Sequence, residues 1–445
     1  MRIKVLFMLV GALCLLLALV PACSKAAPHS GGPEEIRIGA VCSLSGMFAG
    51  FGQGSEWGLR AAIDDVNTQG GVFVKEYGKK LPIALTVVNS ESDPTKTGSL
   101  AESVILDNDV HFLTIGGEPP STTAGVANTS DKYKIIFVSG CGPYEPWKGL
   151  KEAAPNHWKY HWAGRFAIAM PPPEGDFRAV PGYTIFEAWA SQLNMFGDQT
   201  NKKMAVFASD DPDGIGWYGV FPSIVPNLGY DVVGLDKKLG LAPMETTDFS
   251  SIINEWKAND CEILWGNAPA PFVATLWKQC RSLGFQPKMA TLGRGALYLE
   301  DVQSWGGNLP QGVGTEIYWH PAWGDSPGFG DTTAASVYER WHEDTGRGIN
   351  SGAADGYWSI QVIVDAVERA GSLDTEKVQA AMAETDFMTV MHRTKFDADQ
   401  FCRGPLVYGQ WQKSDTHAGW SMEVAYSDHD FIKPTAEPIF PIPYD

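Results

Sequence analysis

An acidic loop offers side chains that could bind a cation or a polar ligand. Asp210, Asp211 and Asp213 follow an apolar run, and their spacing loosely resembles that of a calcium-binding loop. Pro212 interrupts the loop, and no glutamate stands where the calcium ligand set requires one. We therefore predict that these aspartates contact a ligand or cap the helix that follows them.

A histidine pair is the second candidate for chemistry. His157 and His161 are four residues apart, so on a helix both could reach one metal ion. Their segment supplies no neighbouring carboxylate and no H-E-x-x-H pattern, which favours a surface or hinge role. Because no serine–histidine nucleophile pair can be identified either, we predict a protein that is not an enzyme, with no catalytic residues, no metal and no cofactor.

A glycine-rich turn is the third candidate. Gly50, Gly52, Gly54 and Gly58 stand between a predicted strand and a predicted helix, and their spacing misses the dinucleotide-binding pattern G-x-G-x-x-G by one residue. We predict instead that they let backbone N–H groups approach a small ligand at the carboxyl edge of a sheet.

Alternating strands and helices must hold these candidates in place. Short apolar runs predict strands, and apolar residues at i, i+3 and i+4 predict helices between them. The predicted strands are 36–44, 83–88, 112–116, 135–139, 204–208, 230–235 and 263–265, and the predicted helices are 55–67, 93–105, 186–194, 216–228, 248–258, 271–283 and 357–370. This alternation predicts parallel sheets covered by helices, in two tandem α/β units separated by a proline-containing insertion at 170–183.

Composition and charge agree with an ordinary globular protein. The 445 residues suggest two domains, and 44% hydrophobic with 19% charged residues excludes disorder and a bundle of membrane-spanning helices. The 52 acidic against 34 basic side chains argue against a nucleic-acid partner, because phosphate binding needs a surplus of cations. Of the 16 tryptophans, we expect most in the core and a minority around an apolar pocket.

The N-terminus indicates export. Met1–Lys4 carries two positive charges and residues 5–20 are almost wholly apolar, as in a signal peptide, here 1–22. Val20-Pro21-Ala22-Cys23 resembles the lipobox of bacterial lipoproteins, so Cys23 is the predicted lipidation site and 23–35 a tether. We expect a periplasmic or extracytoplasmic protein that is anchored to the membrane through acyl chains on Cys23.

Cysteine positions allow one disulfide. In an exported chain Cys42, Cys141, Cys261, Cys280 and Cys402 remain after Cys14 is lost with the signal peptide and Cys23 is lipidated. Cys261 opens a predicted strand and Cys280 lies near the end of the helix that follows, so a bridge between these two is the predicted pairing.

Two motifs resemble those of the periplasmic branched-chain amino-acid-binding proteins, the type I solute-binding components of ABC importers. They are Val41-Cys42-Ser43-Leu44-Ser45-Gly46 and GLRAAIDDVNTQGG at 58–71. Asp93-Pro94 and Asp355-Gly356-Tyr357 support the resemblance, which extends from about 36 to about 412 except over the insertion.

The resemblance implies a fold and a domain organisation. The fold class is α/β, with two flavodoxin-like doubly wound lobes joined by a three-strand hinge and the solute held in the cleft between the lobes. The implied first lobe is 36–160 with 320–394, the second is 161–319 with 395–432, and 433–445 is an extended tail.

The resemblance also implies a function and partners. The chain would be a solute-binding lipoprotein that captures an amino acid or another small carboxylate and delivers it to the membrane permease of an ABC importer. Two alternatives are a ligand-sensing receptor of the same fold and an exported hydrolase. Neighbouring permease and ATPase genes would favour import, and turnover of a bound ligand would favour the hydrolase.

Residues matching the family's motifs are the expected ligand contacts. In the order of the chain they are Phe51, Ser121, Thr122, Cys141, Gly142, Asp213, Asn267, Arg294 and Tyr357. Ser121 and Thr122 lie in the loop where family members bind a ligand carboxylate. Arg294 stands near the place where amino-acid binders use a glutamate for the ammonium group, and this departure favours an acidic or aromatic-acid solute. Asp213 could still bind an ammonium group.

Overall fold

The computed structural model describes residues 32–140, 142–415 and 419–444, and the chain forms one compact unit from Glu35 onward. The predicted signal peptide, the lipidation site Cys23 and the predicted ligand contact Cys141 lie outside the described residues. Two large sheets flanked by helices confirm the predicted α/β class.

The strands are short and mostly buried on both faces, which explains why they read as continuous apolar runs in the sequence. They are β1 (Ile36–Cys42), β2 (Val72–Val74), β3 (Lys79–Leu81), β4 (Ile83–Asn89), β5 (Phe112–Gly117), β6 (Ile136–Gly140), β7 (His161–Arg165), β8 (Lys203–Ser209), β9 (Asp231–Val232), β10 (Leu241–Ala242), β11 (Ile263–Ala268), β12 (Met289–Arg294), β13 (Gly314–Ile317), β14 (Asp386–Met388), β15 (Arg393–Lys395), β16 (Phe401–Arg403), β17 (Val407–Lys413) and β18 (Trp420–Tyr426).

The helices lie between the strands and cover the sheets. They are α1 (Ala49–Thr68), α2 (Thr97–Asn108), α3 (Pro120–Tyr133), α4 (Tyr144–Ala153), α5 (Ile185–Phe196), α6 (Pro212–Ile224), α7 (Ser250–Ala258), α8 (Ala270–Ser282), α9 (Leu299–Gln303), α10 (Ala334–Thr345), α11 (Ser351–Ala370) and α12 (Thr375–Ala383). Several of these helices begin directly after a residue whose side chain caps the helix N-terminus. Asp211 accepts the backbone N–H of Gly214 at the start of α6, which confirms the predicted capping role of the acidic loop.

The two sheets form the centres of the two lobes. The first sheet has the order β16-β7-β6-β5-β1-β4 and is parallel throughout. The second has the order β10-β8-β11-β12-β13-β17-β18, in which β17 and β18 run antiparallel to their neighbours and β9 also pairs with β8. Small hairpins are formed by β2 with β3 and by β14 with β15.

The chain passes between the lobes three times. It crosses between β7 and β8, returns between β13 and α11, and crosses again between β16 and β17. Helix α11 belongs to the first lobe because it packs on α1, β5 and β6. The lobe limit predicted at 160 falls just before β7, and the limit predicted at 394 falls inside β15, whereas β7 and β16 both pair within the first sheet.

The glycines of the predicted ligand-binding turn serve helix packing. They lie inside α1, where a Cβ on Gly58 would meet the backbone of Ala353 and a Cβ on Gly54 would meet Asn350. A Cβ on Gly52 would meet the backbone of Ser43. The prediction that these glycines approach a ligand is therefore not supported, because α1 begins earlier than its apolar pattern suggests and its glycines face α11, Ser43 and the ring of Tyr298.

Two further predictions are wrong. Cys261 and Cys280 are buried free thiols packed in one apolar cluster, so the predicted disulfide is absent. The crossover does bring the helix end back to the sheet, but a disulfide also requires closely matched Cβ positions. Burial raises the pKa of Cys261 to about 12, which keeps its thiol protonated. The strand predicted at 230–235 is reduced to Asp231–Val232, because Gly234 adopts φ +73° and starts a 3-10 turn.

Candidate functional site

A narrow cavity of about 20 Å³ lies between the lobes, at the carboxyl ends of strands from both sheets. Its walls combine several aromatic rings with a few ionisable groups. The lining residues are Phe51, Glu118, Pro119, Gly142, Arg165, Phe166, Ile185, Trp189, Asp213, Trp217, Asn267, Arg294, Leu297, Glu316 and Tyr318.

Glu118 is the buried acid of the first-lobe wall, directly after β5. Its Oε1 accepts the Ser43 backbone N–H at 2.7 Å, and its Oε2 accepts the hydroxyls of Ser43 at 2.8 Å and Thr122 at 3.2 Å. Burial raises the pKa of Glu118 to about 7, although these three donors oppose the shift. The carboxyl group is therefore close to half-ionised at neutral pH.

Arg165 closes the other side of this wall at the end of β7. Its guanidinium forms a buried ion pair with Asp355 of α11, and its Nε lies 3.1 Å from Asp355 Oδ1. The guanidinium also stacks on the ring of Tyr318 at 4.5 Å. A Cβ on Gly117 or on Gly140 would collide with this ion pair, so glycine at both strand ends makes room for it.

The register of the second sheet brings its polar residues together. Asn267 pairs with Gly293, and Ala268 pairs with Arg294, at the ends of β11 and β12. Asp213 comes from the first turn of the neighbouring α6, and its Oδ1 accepts the Asn267 side-chain N–H at 3.2 Å. Burial raises the pKa of Asp213 to about 6, against the lowering effect of Arg294.

Arg294 is held by its own lobe on almost every side. Its Nη1 and Nη2 donate to the two oxygens of Asp211 at 2.8 and 2.9 Å, and Nη2 also donates to Ser209 Oγ at 2.7 Å. Its Nε lies 3.1 Å from both Asn267 Oδ1 and Asp213 Oδ2. Although burial opposes it, the charge of Arg294 holds the pKa of Asp211 below its usual value. Arg294 thus acts as a bridge within the second lobe.

Glu316 and two tryptophans complete the second-lobe wall. Glu316 Oε2 accepts the indole N–H of Trp189 at 2.9 Å, and burial raises its pKa to about 7. The rings of Trp189 and Trp217 lie 5.5 Å apart. The indole N–H of Trp217 is buried and has no hydrogen-bond partner among the described residues. The expectation that a minority of tryptophans line a pocket is confirmed by these two side chains.

The structure brings five of the expected ligand contacts to one cavity and leaves three away from it. Phe51, Gly142, Asp213, Asn267 and Arg294 line the cavity, and the ring of Phe51 meets that of Tyr298 from the second lobe at 5.0 Å.

Ser121 and Thr122 lie in the first turn of α3, outside the cavity wall, and Thr122 donates to Glu118. Tyr357 is a buried residue of α11, and its hydroxyl donates to Asp65 of α1 at 2.6 Å. It lies away from the cavity because α11 begins at Ser351, so Tyr357 is not at the helix start as the resemblance implies. Cys141 lies outside the described residues.

Sequence reasoning missed the lining residues with the strongest electrostatic effect. Glu118 follows β5, Arg165 ends β7 and Glu316 is the last but one residue of β13, so the rule that ligands bind at strand carboxyl ends could have found them. Their roles depend on partners distant in the sequence, such as Asp355 for Arg165, and no local pattern marks those pairings.

The alternative chemistries gain no support from the described residues. Within them no cluster of three or more His, Cys, Asp or Glu side chains could hold a metal ion. His157 is exposed, in agreement with the predicted surface role, whereas His161 is buried in β7 with its Nε2 2.8 Å from Ser139 Oγ, which corrects that role for His161.

One segment does fit a serine-nucleophile motif, G-x-S-x-G, at Gly324 to Gly328. It follows a 3-10 turn rather than a strand, and the Ser326 hydroxyl donates to the carbonyl of Trp323 at 3.1 Å. The nearby His320 uses one ring nitrogen to accept the N–H of Ala322, and the other lies 3.2 Å from the carbonyl of Met422. This serine therefore lacks the strand–turn–helix geometry of a nucleophile.

The fold and this interlobe cavity define a type I binding protein, and comparisons with known proteins agree. A family model described as "Periplasmic binding protein" matches residues 35–416, and the chain belongs to that family. The family consists of binding proteins of the periplasm and extracytoplasmic space.

Solved structures share the fold at low identity. A leucine-binding protein from Thermotoga maritima is 18% identical with a TM-score of 0.68, covering 87% of this chain and 97% of its own. A branched-chain amino-acid transporter substrate-binding protein from Streptococcus pneumoniae, in complex with isoleucine, is 17% identical with a TM-score of 0.66, covering 92% and 100%. A solute-binding protein of an ABC transporter from Rhodopseudomonas palustris, in complex with 3,4-dihydroxybenzoic acid, is 16% identical with a TM-score of 0.67, covering 91% and 99%.

Every helix among the described residues is too short or too polar to cross a bilayer.

Proposed function

We propose that the protein captures a small organic solute between its lobes and delivers it to the membrane permease of an ABC importer. The observation that carries this proposal is the cavity whose wall is built by both lobes, with Phe51 and Glu118 on one side and Asp213 and Glu316 on the other. A solute that contacts both walls favours the closed arrangement over any open one, because closure adds contacts with the second wall. The permease then recognises the closed, solute-bound form of the protein.

We also propose that the protein is a lipoprotein anchored through Cys23, with residues up to about Glu35 as a tether. The lipobox-like segment before Cys23 and the charged, then apolar, N-terminus support this part of the proposal. An anchored binding protein remains close to its permease, which raises the effective concentration of the pair.

Ligand-induced stabilisation of the mature chain tests the capture function. A solute at one hundred times its dissociation constant adds about 2.7 kcal/mol to the free energy of unfolding, which a thermal-shift assay resolves. The panel holds amino acids, amines, aliphatic and aromatic carboxylates, and neutral amides. A solute that stabilises the protein without being converted supports capture, whereas turnover of the solute would favour the hydrolase alternative. Stimulation of importer ATPase activity by the loaded protein tests delivery.

A further inference from the structure

In the first lobe, three hydrogen-bond donors behind the cavity wall are already occupied by a carboxyl group of the protein. The Ser43 backbone N–H, the Ser43 hydroxyl and the Thr122 hydroxyl all donate to Glu118. Glu118 is itself buried in the cavity wall. A carboxylate solute approaching this wall would meet another carboxyl group rather than free donors.

The second lobe uses its guanidinium group internally. Arg294 donates to Asp211, Ser209 and Asn267, and it pairs with Asp213. The charge of Arg294, which the sequence predicts to bind an acidic solute, is therefore already neutralised by carboxylates of its own lobe. Arg165, the other lining cation, is likewise paired, with the buried Asp355.

Carboxyl groups outnumber cations around the cavity. Three acids line it and two more pair with the lining guanidinium groups, so five carboxyl groups accompany two arginines. The acids are Glu118, Asp213, Glu316, Asp211 and Asp355, and the cations are Arg165 and Arg294. When these carboxyl groups are ionised, this balance attracts positive charge and repels anions.

Aromatic rings cover much of the remaining wall. Phe51, Phe166, Trp189, Trp217 and Tyr318 all line the cavity, and the rings of Phe166 and Tyr318 lie 5.1 Å apart. The faces of aromatic rings carry partial negative charge, so they bind alkylammonium groups as well as apolar ones.

On the basis of the proposed function, we propose that the solute is an organic cation, an ammonium compound with an apolar or aromatic body and no free carboxylate. Its ammonium group binds the carboxyl groups of Asp213 and Glu316 on the second-lobe wall and Glu118 on the first. Its apolar body packs between the aromatic rings. An oxygen acceptor on that body would satisfy the indole N–H of Trp217, which has no partner among the described residues.

Matched solutes test this proposal on the unmodified mature chain. One series is phenethylamine, phenylalanine and hydrocinnamate, and a second is isoamylamine, leucine and isocaproate, which share a body and differ only in their charged groups. We expect the amine to bind at least about tenfold more tightly than the amino acid and the acid of its series, measured by calorimetry and thermal shift. An acid or amino acid that binds as tightly as its amine overturns the proposal.

Two variants examine the wall directly. Glu118→Ala removes the internal carboxyl group and frees the Ser43 and Thr122 donors, so we expect this variant to gain binding of the acids. Glu316→Gln should weaken amine binding by about tenfold or more, because it removes an ionisable carboxyl group from the wall. The matched control is Asp301→Asn. Burial also raises the pKa of the Asp301 carboxyl group to about 7, but this residue does not line the cavity. Circular dichroism confirms that each variant folds.

The outcomes separate this proposal from the capture function. Binding of carboxylates alone would overturn the cation proposal and leave capture intact. If no compound binds, mass spectrometry of the denatured protein identifies what it retained. A retained cation supports the proposal and a retained anion overturns it. Release of no small molecule, together with a panel that does not bind, would count against both proposals.

Discussion

Arg294 shows how a residue's role depends on partners that its sequence position does not reveal. Its position in the resemblance suggests a cation facing the solute, yet it is buried against Asp211, Asp213, Ser209 and Asn267. Its backbone φ of +50° lies in the left-handed region, which non-glycine residues seldom adopt. Such a conformation persists only where surrounding contacts hold it, and these partners supply them.

Loss of Arg294 should therefore destabilise the fold. We expect Arg294→Ala to lower the free energy of unfolding by about 3–5 kcal/mol, because Asp211 and Asp213 would remain buried without their cation. Urea denaturation monitored by tryptophan fluorescence measures this change. Arg60→Ala is the control, since Arg60 forms an exposed pair with Glu56 and should cost at most about 1 kcal/mol. Equal stability of the two variants would contradict the bridging role.

The buried acids predict a pH dependence of stability in the protein without solute. Burial raises the pKa of Glu118 to about 7, so between about pH 4.5 and 7 the folded state holds a proton that the unfolded state has lost. The stabilisation that this proton provides is complete below about pH 4.5 and is lost as the pH rises through 7. The same holds for Glu316.

The comparison with Glu118→Gln isolates this effect. Between about pH 5 and pH 8, we expect the wild type to lose on the order of 2 kcal/mol of stability relative to Glu118→Gln, because glutamine cannot ionise. Denaturation midpoints at the two pH values measure the change. A wild-type-to-variant difference that stays constant with pH would show that Glu118 does not titrate in this range.

Among the elements, the contact between α1 and α11 depends on glycines. A Cβ on Gly58 would meet the carbonyl of Ala353, and a Cβ on Gly356 would meet the carbonyl of Ser55, so the helices approach at backbone distance. Helix α11 also covers β5 and β6, and it supplies Asp355, which pairs with Arg165 of the cavity wall. The spacing of these two helices therefore affects the packing of the core, and it affects the position of Arg165 because Asp355 of α11 pairs with that residue.

Substitution at this contact should be costly. We expect Gly58→Ala to reduce the free energy of unfolding by about 1–3 kcal/mol or more, because the methyl group would force the helices apart. Gly149→Ala is the matched control in α4. It has no atoms within 4 Å of the added Cβ and should stabilise the protein by about 0.5–1 kcal/mol. Thermal unfolding of both variants measures the two effects, and a tolerated Gly58→Ala would refute the close contact.

Most of the elements could be predicted from the sequence, because buried parallel strands are continuous apolar runs and amphipathic helices have a clear period. Their boundaries were less predictable. Helix α1 begins at Ala49 although its apolar period is visible only from Ser55, because glycines in its first turns hide the pattern. Helix α11 begins six residues before Tyr357, and this difference explains why Tyr357 lies away from the cavity.

The cavity could be predicted only in part for a related reason. The resemblance to the family's motifs predicted Phe51, Asp213 and Asn267 as ligand contacts, and all three line the cavity. The pairings of Glu118 with Ser43 and of Arg165 with Asp355 join distant segments, and they decide the electrostatics of the site.

For the whole molecule, the predicted lipid anchor on Cys23 can be tested directly. We expect Cys23→Ser to move the full-length protein from the membrane fraction to the soluble fraction after export, since acyl chains on Cys23 would be lost at about 0.8 kcal/mol of binding per buried methylene. Membrane flotation followed by immunoblotting measures the distribution. Cys402→Ser is the control, because Cys402 is buried in the folded chain and cannot be acylated there. Continued membrane association of Cys23→Ser would mean that another feature holds the protein.

The three passages of the chain between lobes have a consequence for the order in which the protein is completed. The first sheet receives its edge strand at Phe401–Arg403, and the second receives its last two strands only at Val407–Tyr426. A growing chain therefore has neither lobe finished until nearly all of it has been synthesised. Truncation before Phe401 would leave both sheets incomplete rather than one lobe intact.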